Sequence, residues 1–192
     1  MMEKFLLLII SICSIMAMHI KAESLCVQMF EGEIRAGMTA PLGDYHTGKA
    51  QVSGTLGIEG RFNFKGTPWD CGLMLDLSTA RRGYEHLYNY NDGYDRWQNN
   101  RTLGLAVTGN YNFRQGTKIN PFVGMAMGVA FHDVVGDKYF PSKGTSMLFS
   151  PRLGVEFIYH IRLMAQFNIC RNGYNNFSLS VGFVLGGRPK KQ

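Results

Sequence analysis

The side chains able to do chemistry fall into three groups, and the first is the histidines. Past residue 22 they are His46, His86, His132 and His160. A histidine can serve as general base to a serine or cysteine nucleophile when a third group fixes its tautomer. None of the four is followed two residues later by serine; Gly48, Tyr88, Val134 and Arg162 hold those positions. His132-Asp133 is an adjacent histidine–carboxylate pair, and solvation at a strand end accounts for it equally well. Cys13, Cys26, Cys71 and Cys170 show no metal-ligand spacing, and no glycine loop of the phosphate-cradling kind occurs. The sequence therefore assigns no catalytic residue, no cofactor and no metal, and no enzymatic activity is expected.

The second group is aromatic and basic. Arg81, Arg82, Tyr84, Tyr88, Tyr90, Tyr94, Arg96 and Trp97 crowd one polar stretch, Arg81 to Arg101. Tyr and Trp give large contact area at low entropic cost, and Arg meets phosphates through a planar fork. The stretch is a candidate surface-binding site, with self-packing as the competing use of its aromatics. The third group is a set of charges, Arg35, Glu59, Arg61, Asp70, Asp76, Arg152, Glu156 and Arg162, spaced among small and apolar residues.

The elements that must position these groups share one rule. In Asn176–Leu185, Phe177, Leu179, Val181, Phe183 and Leu185 alternate with Asn176, Ser178, Ser180, Gly182 and Val184. That period of two marks a β-strand with unlike faces. Seven earlier segments follow suit: Glu33 to Leu42, Gln51 to Phe64, Trp69 to Ser78, Leu103 to Phe113, Pro121 to Phe131, Phe149 to Phe157 and Ile161 to Ile169. Pro151 falls on the apolar face of the sixth, where a bulge is expected. Connections between the segments run alternately long and short, the pattern of an up-and-down meander whose loops gather at one end.

A soluble barrel would scatter Lys and Glu over its outer strand faces. Here Lys49, Lys65, Lys118, Lys138 and Lys143 all fall in expected loops or turns, and the polar faces are rich in Gly, Ala, Ser, Thr and Asn. Small residues suit the narrow interior of eight strands, and the uniformly apolar opposite faces suit hydrocarbon. Aromatics bunch toward both ends of the apolar faces, as the girdles of membrane barrels do. The expected fold is all-β: a closed eight-stranded antiparallel up-and-down transmembrane β-barrel over residues 33–185.

The third group then becomes a lumen charge network. Reflecting strands about their turns sets Arg61 opposite Asp70, Glu156 opposite Arg162 and Arg35 opposite Glu59, with Glu33, Asp76 and Arg152 alongside. Buried charges are tolerated when paired, so the expected lumen is filled by side chains, with little conductance. Residues 1–22 read as a signal peptide cleaved near Ala22, with Lys4 before the apolar run Phe5 to Met18. Residues 23–32 form a short periplasmic lead and 186–192 a basic periplasmic tail. The net charge of +6 comes without a basic run bearing interleaved aromatics, so no nucleic-acid partner is expected.

The signal run Phe5–Ala22, the opening Glu33–Gly43 and the segments Ser150–Phe157 through Ser180–Gly186 give the chain its family likeness. It resembles the small outer-membrane β-barrel proteins of the OmpX, OmpW and OmpA-barrel type. The resemblance implies insertion by the barrel-assembly machinery; location in the cell outer membrane as a monomer is expected with it, and the basic residues of the long loops suit contact with outer-membrane lipids and lipopolysaccharide. Such barrels end on an aromatic residue, whereas this chain continues past Phe183 to Gln192. The expected function is a structural or surface-binding role through long extracellular loops, including lipopolysaccharide contact. The alternatives are a narrow porin-like channel and a surface enzyme acting on lipid A.

Overall fold

In the computed structural model the described residues are 27–42, 49–84, 96–135, 144–171 and 173–186. They form nine strands: β1 (Phe30–Pro41), β2 (Lys49–Gln51), β3 (Ser53–Asn63), β4 (Trp69–Tyr84), β5 (Arg96–Asn112), β6 (Ile119–Val135), β7 (Gly144–Phe157), β8 (Ile161–Asn168) and β9 (Asn176–Leu185). β1 pairs with β3 and β2 with β4; from β3 onward each strand pairs antiparallel with the next, and β1 pairs with β9 from Gly32↔Leu185 to Pro41↔Asn176, which closes the sheet on itself. The structure is a closed up-and-down barrel of eight strands, because β2 and β3 are one strand interrupted at Val52. Gln51 pairs with Arg81 and Thr55 with Ser78, so the register slips by one across Val52. That slip is a β-bulge, the extra residue left unpaired.

The alternation expected from sequence sorts the two faces throughout. On β5, Val107 is 61 % exposed on the outside while Thr108 beside it is 2 % exposed in the lumen. Ile34, Leu73, Leu105, Met127, Leu163 and Val181 are likewise exposed, and every buried charged side chain points inward. An outer surface of this kind costs free energy in water, at about 25 cal/mol per Å² of apolar area, and none in hydrocarbon.

The turns between β3 and β4, β5 and β6, and β7 and β8 mark the short-turn end of the barrel. At the last of these, Ile158 and Tyr159 both adopt positive φ, 51° and 65°. His160 N donates to Phe157 O across the turn at 3.1 Å. A hairpin turn with both central residues left-handed matches strand twist, but it costs a β-branched residue on the order of 1–2 kcal/mol.

Three expectations about the strands need correction. β4, β5 and β6 run well past the expected ends, so Arg81, Arg82, Tyr84, Arg96, Trp97 and Arg101 stand on strands, not in a loop. Lys49, expected in a loop, opens β2. Pro151 makes no bulge: β7 holds one register with β8 on both sides, from Arg152↔Gln166 to Phe149↔Ile169. Proline has no N–H to give, so the ladder loses a rung without shifting.

Candidate functional site: the lumen and its outer mouth

Inward positions at the short-turn half carry the charges. Arg152, on β7, reaches across the lumen to Glu59 on β3: Nη1 donates to Oε2 at 2.6 Å and Nη2 to Oε1 at 2.7 Å. Its Nε donates to Asn110 Oδ1 at 2.9 Å. Glu59 also accepts from Arg35 Nη1 at 3.1 Å and from Thr108 Oγ1 at 3.0 Å, so its carboxylate is saturated. Arg35 Nη2 donates to Asp76 at 3.0 Å. Arg61 donates to Glu31 and Glu33, and Arg162 lies over the Phe122 ring at 3.5 Å with its Nη1 3.4 Å from Glu33. Forked, multiply bonded pairs of this kind are the condition under which buried charges are tolerated.

Below them, amides close the short-turn mouth. Asp70 accepts from Asn110 and Asn112, Asn120 donates to Asn112, and Gln115 reaches up from its turn to Asn63 at 2.9 Å. Among and above the charges on the β4–β7 wall lies an apolar layer of Met74, Ala106, Ala126, Ala130 and Leu148. On the opposite wall Thr39 Oγ1, Gln166 Oε1 and Arg162 Nε and Nη2 have no protein partner. Buried polar atoms in that situation are ligands for internal water.

Apart from Arg82 near the outer end of β4, the other half of the lumen uses neutral groups. Asn176 donates to Ser78, Asn168 to Asn176, and Ser150 and Gln166 to Asn168. At the mouth, Tyr174 turns inward to 1 % exposure and packs on the His132 ring with centroids 4.1 Å apart. Asn100 Nδ2 donates to Gly173 O at 2.6 Å, holding the same segment. Behind it Cys170 packs against the apolar layer, and burial pushes its thiol up to about 11.

The lumen network expected from sequence is assembled as a group, with its pairings revised. Glu156 faces Arg162 in register as expected, although Arg162 is directed to Glu33. Arg61 faces Gly72, not Asp70, and Asp70 faces Asn63, because the β3–β4 register differs from the reflected one by two residues. Arg35 faces Gly57, yet its guanidinium still meets Glu59 along the diagonal. Glu31, assigned by sequence to the lead, belongs to β1 and to this network. The binding stretch is divided. Arg82 points into the lumen, buried, and donates to Leu42 O at 3.2 Å, whereas Arg81 is outward and half-buried. Tyr84, Arg96 and Trp97 lie on strand ends; Tyr88, Tyr90 and Tyr94 fall outside the described residues. His132, expected in a loop, lies on β6 facing the lumen, where sequence gave no hint of its partners Thr102 and Ser146. Among the described residues no group of three or more His, Cys, Asp or Glu could hold a metal.

A closed eight-stranded meander with an apolar exterior and a polar, side-chain-filled lumen defines the class: this is the fold of small outer-membrane barrels. The chain is similar in structure to Neisserial surface protein A, with a TM-score of 0.52 and 14 % identity over 83 % of this chain and 97 % of that one. The N-terminal β-barrel domain of Pseudomonas aeruginosa OprF aligns with a TM-score of 0.49 and 11 % identity over 83 % and 99 % of the two chains. Ail, the attachment invasion locus protein of Yersinia pestis, solved in complex with the heparin analogue sucrose octasulfate, gives 0.47 and 12 % over 82 % and 100 %. No protein-family model and no curated protein matches the chain. At these identities the likeness speaks to fold alone.

Proposed function

We propose that the chain is an outer-membrane barrel with a sealed lumen, acting through its outer surface in a structural or binding role. One observation carries this reading: large apolar side chains cover the outside of every barrel strand while the buried charges all face the lumen. Only hydrocarbon makes both faces favourable at once. Export with cleavage near Ala22, insertion by the barrel-assembly machinery and a monomeric state belong to the same proposal. Electrophoresis of boiled and unboiled outer-membrane fractions tests it. A heat-dependent mobility shift is expected; a soluble protein without a shift contradicts the reading.

The proposed surface contact is with phosphates of lipopolysaccharide. Arg81 and Arg101 both face outward on the paired strands β4 and β5, beyond the apolar residues Leu77 and Leu103. Guanidinium groups at that height suit phosphates of an outer leaflet. Arg81→Glu with Arg101→Glu is expected to sensitise the outer membrane to chelators, whereas Arg82→Glu, which faces the lumen, acts on folding instead. Unchanged chelator sensitivity in a well-folded double variant counts against lipopolysaccharide contact. The channel alternative is disfavoured by the side chains that span the lumen from Arg152 to Glu59.

A further inference from the structure

Three adjacent strands bring a histidine and two hydroxyls together at the outer mouth of the lumen. Thr102 on β5 and His132 on β6 are register partners, and Ser146 on β7 is one inward step away, opposite Ala130. His132 Nε2 lies 2.7 Å from Ser146 Oγ, and His132 Nδ1 lies 3.2 Å from Thr102 Oγ1. Tyr174 packs on the ring face and fixes its plane. Thr102 and His132 are buried at 2 % and 4 % exposure, but Ser146 is half-buried and opens toward the mouth. Arg171, exposed, lays its guanidinium against Gly144, the inward position directly above Ser146; a Cβ there would meet Arg171 Nη1 at 2.8 Å.

From this geometry we propose that Ser146 is a nucleophile activated by His132, and that the mouth cleaves carboxylic esters presented from outside. The inference goes beyond the surface-contact reading and does not depend on Arg81 or Arg101. A hydroxyl on each ring nitrogen would also satisfy a purely structural histidine. Ser146 argues for more, because a half-exposed serine can be satisfied by water and gains little from so short a bond. In the tautomer that donates Nδ1–H to Thr102, Nε2 is the acceptor for the serine proton, which is the arrangement of a nucleophile, a base and an orienting group. Met147 O, 3.2 Å from Ser146 Oγ, is the competing and longer acceptor.

In the proposed step the Ser146 proton passes to His132 Nε2 as Oγ bonds to the ester carbonyl carbon. The carbon–alkoxy bond then breaks, and the leaving oxygen takes the proton from His132. Water, deprotonated by the same nitrogen, attacks the acyl-serine, releases the carboxylic acid and restores Ser146. Arg171 is placed to offset the negative charge on the carbonyl oxygen. With threonine where a triad has its carboxylate, turnover about ten-thousandfold below a full triad is expected, so covalent capture is a better readout than product release.

The test uses the full chain, folded in detergent micelles and checked by its heat-dependent mobility. A fluorophosphonate probe is expected to add one mass adduct, mapped to the Ser146 peptide, and to lose it in Ser146→Ala. Labelling should slow at least about 100-fold in His132→Gln, within the range of general-base contributions, and by less, about 10-fold, in Thr102→Val. Thr102→Val removes a single hydroxyl and serves where His132→Gln does not fold. Ser146→Cys adds a second readout: alkylation faster than at Cys71, and slowed by His132→Gln. No adduct at Ser146 in folded protein, or an adduct forming at the same rate without the His132 and Thr102 groups, overturns the proposal. Neither outcome bears on the chelator experiment.

Discussion

In the short-turn half of the lumen, Arg35, Arg61, Arg152 and Arg162 are bound to carboxylates, with Arg152 forked onto Glu59 from the far wall. In the outer half, Ser78, Asn168 and Asn176 exchange single neutral bonds, and Tyr174 with His132 fills the mouth. Both halves satisfy buried polar groups, but at different stakes. Removing one member of a buried ion pair strands a charge, whereas removing one neutral partner strands a dipole. The charged half is therefore a fixed plug, and the neutral half is the place where local opening costs least and where a ligand can be met.

Substitutions can break or sharpen that contrast. The largest effect is expected from Arg152→Ala, which leaves Glu59 short of its two closest donors. A loss of about 3–5 kcal/mol is expected in urea unfolding from lipid vesicles, with most of it recovered in Glu59→Gln, Arg152→Met. Next, Val107→Arg tests the outer face at mid-strand and should cost about 2–4 kcal/mol, against about 1 kcal/mol or less for Ile119→Arg at the strand end. Equal costs at the two positions would mean that the outside does not meet hydrocarbon.

Tyr174→Ala should cost less, about 2–3 kcal/mol, because a mouth residue can be partly replaced by water where a core aromatic cannot. Its signature is local: faster hydrogen exchange at Gly173 and Asn176, and faster maleimide reaction at Cys170, with the Arg152–Glu59 region unchanged. Before that opening Cys170 should react slowly at neutral pH, since its thiol is pushed up and the thiolate is the reactive form. The smallest effect belongs to Ser78→Ala, which removes one of the two acceptors of Asn176 Nδ2, leaving Tyr174 O, and should cost about 1 kcal/mol. If Ser78→Ala proved as costly as Arg152→Ala, the two halves would not differ in the way described.

The faces of the strands were legible in the sequence wherever the outside is apolar, because lipid and lumen impose opposite demands on alternate residues. The reading stopped short at the loop ends of β4, β5 and β6. From Thr79 to Gly83 and from Asn99 to Thr102 both faces carry polar or small residues, so alternation no longer marks a strand. That is also why Arg81 and Arg82 looked like one site: neighbours in a loop share a surface, whereas neighbours on a strand are separated by the barrel wall. Each of the charges sits on a polar strand face, which is what grouped them in the sequence, but a register two residues away from reflection changed the partners. The bulge at Val52 leaves no composition signal, being an ordinary valine between Gln51 and Ser53. Ser146 and Thr102 could have been found as inward hydroxyls, yet nothing local ties them to His132. Strands β5, β6 and β7 do that through pairings 14 and 30 residues apart in sequence.

The central claim is that the lumen is closed by its own side chains. Single-channel recording of the purified, folded protein in a planar lipid bilayer tests it most directly. The account predicts no steady conductance at moderate voltage, since Arg152 and Glu59 span the lumen and Gln115 and Tyr174 close its mouths. Stable openings of uniform, sizeable conductance in the unmodified protein would contradict it.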